Sequence, residues 1–64
     1  MAAKQIKNEL RRLSLPMYEE MMLEEGWDSY DWFLKMEAVE RYEFAINTLK
    51  MPKGHATRFA AWGK

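Results

Sequence analysis

Apolar side chains recur along this chain at intervals of three and four, the spacing that lines one face of an α-helix. Ile6, Leu10 and Leu13 form the first such stripe, with Lys4, Lys7, Arg11 and Arg12 on the other side, and predict a helix over about Ala3 to Leu13. Pro16 closes that segment and opens the next, because its ring disfavours helical geometry at Leu15 yet suits a first helical position. A second helix is predicted over Pro16 to Glu25, with Tyr18, Met21 and Met22 buried and Gly26 as its stop. Asp28 and Ser29 can each cap a short third helix over Tyr30 to Lys35, whose apolar side is Trp32, Phe33 and Met36. Val39, Tyr42, Ile46 and Leu49 then predict the core face of a fourth helix over Glu37 to Leu49. No proline or glycine separates the third helix from the fourth, so their continuity stays open. After Pro52 a last helix opens near Gly54 and His55, carries Phe59 and Trp62, and ends at Gly63. β-branched residues are sparse and no segment alternates with a period of two. The expected fold class is therefore all-α: a compact bundle of four to five short helices, forming one domain over 1–64 with its core at about 6–62.

Size sharpens this picture. A domain of 64 residues buries only about 60% of the surface its unfolded chain exposes. There is no cysteine and a single histidine, so neither a disulfide framework nor a structural zinc set compensates. The compensation falls to large apolar side chains: three Trp, three Tyr, three Phe and six Met. At least one tryptophan is expected to stay partly exposed in so small a fold. Trp27, at a helix junction after Gly26, is the candidate for an exposed anchor. No apolar run approaches the ~18–20 residues of a membrane span, and none follows the polar start Met-Ala-Ala-Lys-Gln. The expected setting is intracellular and cytoplasmic.

Charge adds what hydropathy cannot. The formal net charge is zero, but the charges are sorted. Residues 1–16 carry four bases against Glu9; residues 17–45 carry nine acids against Lys35 and Arg41; residues 46–64 carry Lys50, Lys53, Arg58 and Lys64 with no acid. The blocks are thus +3, −7 and +4. Opposite patches steer association and set its orientation more than its strength.

No catalytic constellation stands out. His55 has no cysteine or second histidine to work with, Ser14 and Ser29 lack an evident base, and carboxylates in runs such as Glu19-Glu20 and Glu24-Glu25 read as solvated faces. Gly54-His55 lacks the repeated glycines and lysine of a phosphate loop. Arg11-Arg12-Leu13-Ser14 has the look of a basophilic kinase site, but Leu13 belongs to the core stripe. The expectation is a protein without enzymatic activity, cofactor, metal or small-molecule substrate.

Two segments together resemble the sterile alpha motif (SAM) domain. Leu10, Leu13, Leu15, Tyr18, Met22 and Gly26 match, in order and spacing, the leucines, tyrosine, apolar residue and glycine that open such domains. Leu49, Met51, Gly54 and His55 match the stretch that leads into their fifth helix. The resemblance covers about residues 10–62. It departs at Lys50, where the family usually has glycine, in a longer segment between Met36 and Ile46, and in a shorter last helix. The resemblance implies a protein–protein interaction module, of the kind used in signalling scaffolds, that associates head to tail with itself or another SAM-like domain. Its acidic mid-helix surface would comprise Asp28, Asp31, Glu37 and Glu40. Its basic surface at the start of the last helix would comprise Lys50, Lys53, His55 and Arg58. Some SAM domains instead hold an RNA hairpin, a role for which Arg11, Arg12, Lys50, Lys53 and Arg58 would serve. Zero net charge and an acidic middle argue against RNA. A stable or designed helical domain with no function of its own is the third reading.

Overall fold

The computed structural model describes residues 2–64. Five α-helices and one 3-10 turn account for the regular structure, with no strand among the described residues, so the fold is an all-α bundle. The helices are α1 (Ala2–Arg12), α2 (Glu19–Glu24), α3 (Tyr30–Lys35), α4 (Ala38–Asn47) and α5 (Lys53–Phe59), and the 3-10 turn is Pro16–Tyr18.

Helix α1 forms where its stripe predicts, and Ile6 and Leu10 are wholly buried. It ends when Ser14 takes a left-handed backbone at φ 62°. The Leu15 N–H then donates back to the Leu10 carbonyl at 2.7 Å, and Ser14 N–H to Arg11 at 3.0 Å. This satisfies carbonyls that the helix end would otherwise orphan, and it buries Leu15 against the same core. The expected second helix is divided: Pro16–Tyr18 winds as a tight 3-10 turn before α2 begins. Proline brings no N–H to the first turn, and the Tyr18 N–H bonds three residues back to Leu15 at 3.2 Å. Gly26, at φ 86°, ends α2 as expected.

Helices α3 and α4 are separate. Met36 is extended, at ψ 151°, and Glu37 opens α4 through a capping box with Glu40. The Glu40 carboxylate accepts from the Glu37 N–H at 2.9 Å. The core face of α4 differs from the expected stripe. Val39 is 59% exposed, whereas Arg41 and Ala45 are buried. The reason is polar. Arg41 donates from Nη1 to the carbonyls of Phe33 (2.9 Å) and Met36, and from Nε to that of Ala60 (3.0 Å). One guanidinium thereby terminates α3 and ties it to the turn after α5, and α4 rotates to deliver it.

Phe33, Phe59 and Trp62 form the centre of the core, with ring centroids 5.0–5.3 Å apart. Trp62 lies beyond α5, in the closing turn, and its indole N–H donates to the Tyr30 carbonyl at 3.3 Å. That turn is also held from α1. Glu9 is buried, pairs with Arg12 (Nε to Oε1, 3.1 Å) and accepts from the Gly63 N–H at 2.8 Å.

The Arg12 hydrogen bond, aided by that from Gly63, outweighs burial and holds the Glu9 carboxyl below its ordinary value of 4.5. A native value depressed below the unfolded one means the carboxylate favours folding. Its contribution is full above the unfolded value near pH 4.5 and is lost as pH falls through the native one. Glu9→Gln keeps an acceptor for Gly63 but removes the charge. It is expected to cost about 1 kcal/mol at neutral pH. Urea unfolding at pH 7 and pH 3 checks this, and a gap between wild type and variant that fails to narrow in acid would refute it.

Candidate functional site

The acidic candidates stand on the loop before α3, on α3 itself and at the start of α4. Asp28 precedes Ser29, whose hydroxyl accepts from the Trp32 N–H at 3.2 Å and caps α3. Asp31 occupies the first turn of α3, where the helix dipole favours an anion. Glu37 and Glu40 form the α4 capping box. All four residues are exposed. Glu37 and Glu40 thus have a structural task that the sequence reading did not assign, and they retain their charge while performing it.

The basic candidates run from the end of α4 along α5. Lys50 and Lys53 flank the buried Met51, and Arg58 lies in the last turn of α5; all three cations are exposed. Lys50 adopts φ 58°, a left-handed conformation natural to glycine and strained for lysine. His55 is half-buried: its Nδ1 lies 2.6 Å from the Tyr18 hydroxyl, and the two rings meet edge to face at 5.6 Å. Burial pushes the Tyr18 phenol up, and the nearby Arg58 opposes that only in part. His55 is thus first a structural link between the Pro16–Tyr18 turn and α5.

The ten residues of α4 span about 15 Å. Glu37 and Glu40 lie at its start and Lys50 lies past its end, while α5 packs back along α4, so that its far end, which carries Arg58, approaches Arg41 through the Ala60 carbonyl. Among the described residues none of these seven charged side chains forms an ion pair. The N-terminal basic block behaves differently. Arg11 pairs with Glu19 at 2.9 Å, and Arg12 pairs with Glu9 and reaches the Ala61 carbonyl at 3.3 Å. Those two arginines fasten the fold.

Trp27 is not the exposed tryptophan. Its indole stacks on Trp32 at 5.7 Å and 19°, meets the Phe44 edge at 4.9 Å, and buries an Nε1 with no hydrogen-bond partner among the described residues. Trp32, placed in the core by its spacing, is instead 46% exposed. Phe33 next to it points inward, and one helical step of about 100° carries Trp32 to the rim. No pocket and no cluster of three potential metal ligands is present among the described residues. Neither a family model, nor a curated protein, nor a solved structure matches the chain.

Proposed function

We propose that this chain is a protein–protein interaction module of the SAM type, which associates head to tail with a second copy or a SAM-like partner in a signalling scaffold. The carrying observation is that the acidic set and the basic cations are all exposed and all without ion-pair partners among the described residues. Asp28, Asp31, Glu37 and Glu40 form no ion pair with Lys50, Lys53 or Arg58 of the same molecule among the described residues. A second molecule supplies the complement, and the arrangement repeats at its far end.

Two further features support the family reading. The two matched segments meet in space, since Tyr18 of the first bonds His55 of the second. Lys50 stands where the family has glycine, and the backbone there is left-handed, as a glycine position would be. The RNA reading is weaker, because two of its five cations, Arg11 and Arg12, are already engaged within the fold.

Sedimentation equilibrium tests the proposal. Self-association is expected at low salt and should weaken as salt screens the poles. Asp31→Lys and Lys53→Glu should each abolish assembly beyond a dimer-sized contact with wild type, and mixing the two variants should restore one interface. A monomer at high concentration and low salt, in all three proteins, would refute self-association.

A further inference from the structure

We propose that Trp32 is the anchor of the acidic set, and that its exposed indole receives the Lys53 ammonium of a second copy. This rests on the head-to-tail reading above and names the contact at its centre.

Trp32 is the one tryptophan classed as exposed, at 46%. One of its faces is covered by the near-parallel ring of Trp27. Phe33 and Phe44 meet it at steep angles, 77° and 73°. These contacts fix the indole while nearly half of the residue's surface stays exposed. A rigid, half-exposed aromatic loses little freedom when a partner lands on it, which is the usual character of an interface hot spot.

The surroundings select the partner. Asp31 adjoins Trp32 in sequence, and Glu40 lies one turn before Phe44, which touches Trp32. An exposed indole on a helix that also carries an exposed acid favours a cation, through the ring quadrupole and through the charge of its helix. An anionic or purely apolar occupant would leave those carboxylates opposed or unpaired. The chain itself offers the matching group: Lys53 is exposed at the first position of α5, is without an ion-pair partner, and lies in the acid-free block 46–64.

The test uses the two charge-reversed proteins. A Lys53→Glu chain retains only its acidic pole, and an Asp31→Lys chain only its basic pole, so their mixture forms a single interface. Trp32→Ala placed in the Lys53→Glu chain should weaken that interface by about tenfold, as should Lys53→Met in place of the intact lysine of the other chain. The same Trp32→Ala placed in the Asp31→Lys chain should leave the affinity unchanged, which separates a contact effect from a loss of folding. Equal weakening in both placements, or none in either, overturns the Trp32 contact while leaving the charged poles standing. Absence of any interface in the mixture overturns both.

Discussion

Arg41→Met is expected to remove a large share of the domain's stability, although it replaces a charged residue in the core with an apolar one of similar length. Replacing a buried ion pair with well-packed apolar residues is often harmless, because both charged partners disappear together. Here the partners are main-chain carbonyls of Phe33, Met36 and Ala60, which no side-chain substitution removes. The Phe33 carbonyl keeps the Met36 N–H at 3.3 Å, but the partly buried carbonyls of Met36 and Ala60 lose this donor; at about 1–3 kcal/mol for each, the loss is about 2 kcal/mol or more. A chain of this length has only roughly 3–10 kcal/mol of stability in total. Arg41→Lys should fall between the two, since a point-like ammonium cannot span three acceptors as the planar guanidinium does. Far-UV circular dichroism through a urea titration measures both. A midpoint for Arg41→Met equal to that of wild type would show that the guanidinium makes no net contribution.

Phe33→Ala should be comparably severe for a different reason. The ring is fully buried and lies 5.0–5.4 Å from the centroids of Phe44, Phe59 and Trp62, so it joins α3 to α4, α5 and the closing turn at once. Truncating a buried phenylalanine costs about 3–5 kcal/mol, and rigid aromatic neighbours close poorly over the cavity. The expected readout is a loss of the cooperative thermal transition and of near-ultraviolet aromatic dichroism. Retention of a sharp transition within a few degrees of wild type would mean that the neighbouring rings collapse into the space. Phe33→Leu should recover much of the loss, which would separate filled volume from aromatic geometry.

These two residues also mark the limit of what the sequence discloses. Phe33 is legible, because an aromatic residue in a short segment capped by Ser29 has few places to go but inward. The bounds of α3, the Gly26 stop and the core stripe of α1 follow from local chemistry and are seen in the fold. Arg41 is not legible. Its burial depends on three carbonyls brought together by tertiary structure, and a charge at position 41 reads as solvent-facing by any measure of hydropathy. The error then propagates, because placing Arg41 outside turns Val39 inward. The exchange of roles between Trp27 and Trp32 has the same origin: which ring covers the other is set by Phe44, twelve or more residues away in the chain. The break between α3 and α4 did leave a signal, the Glu37–Glu40 spacing of a capping box. It is easily missed, since glutamate is an uncommon first member of that motif. For the candidate surface, the sorting of charge is visible in the sequence, but which charges are engaged (Arg11 and Arg12) and which are left without ion-pair partners is visible only in the fold.

Lys50 places two selective pressures in opposition. Holding a lysine in a left-handed backbone forgoes about 1 kcal/mol relative to a glycine, a roughly fivefold smaller ratio of folded to unfolded chains. Lys50→Gly should therefore give back about 1 kcal/mol of stability while removing one cation from the basic set, an exchange that equilibrium unfolding of the variant would measure.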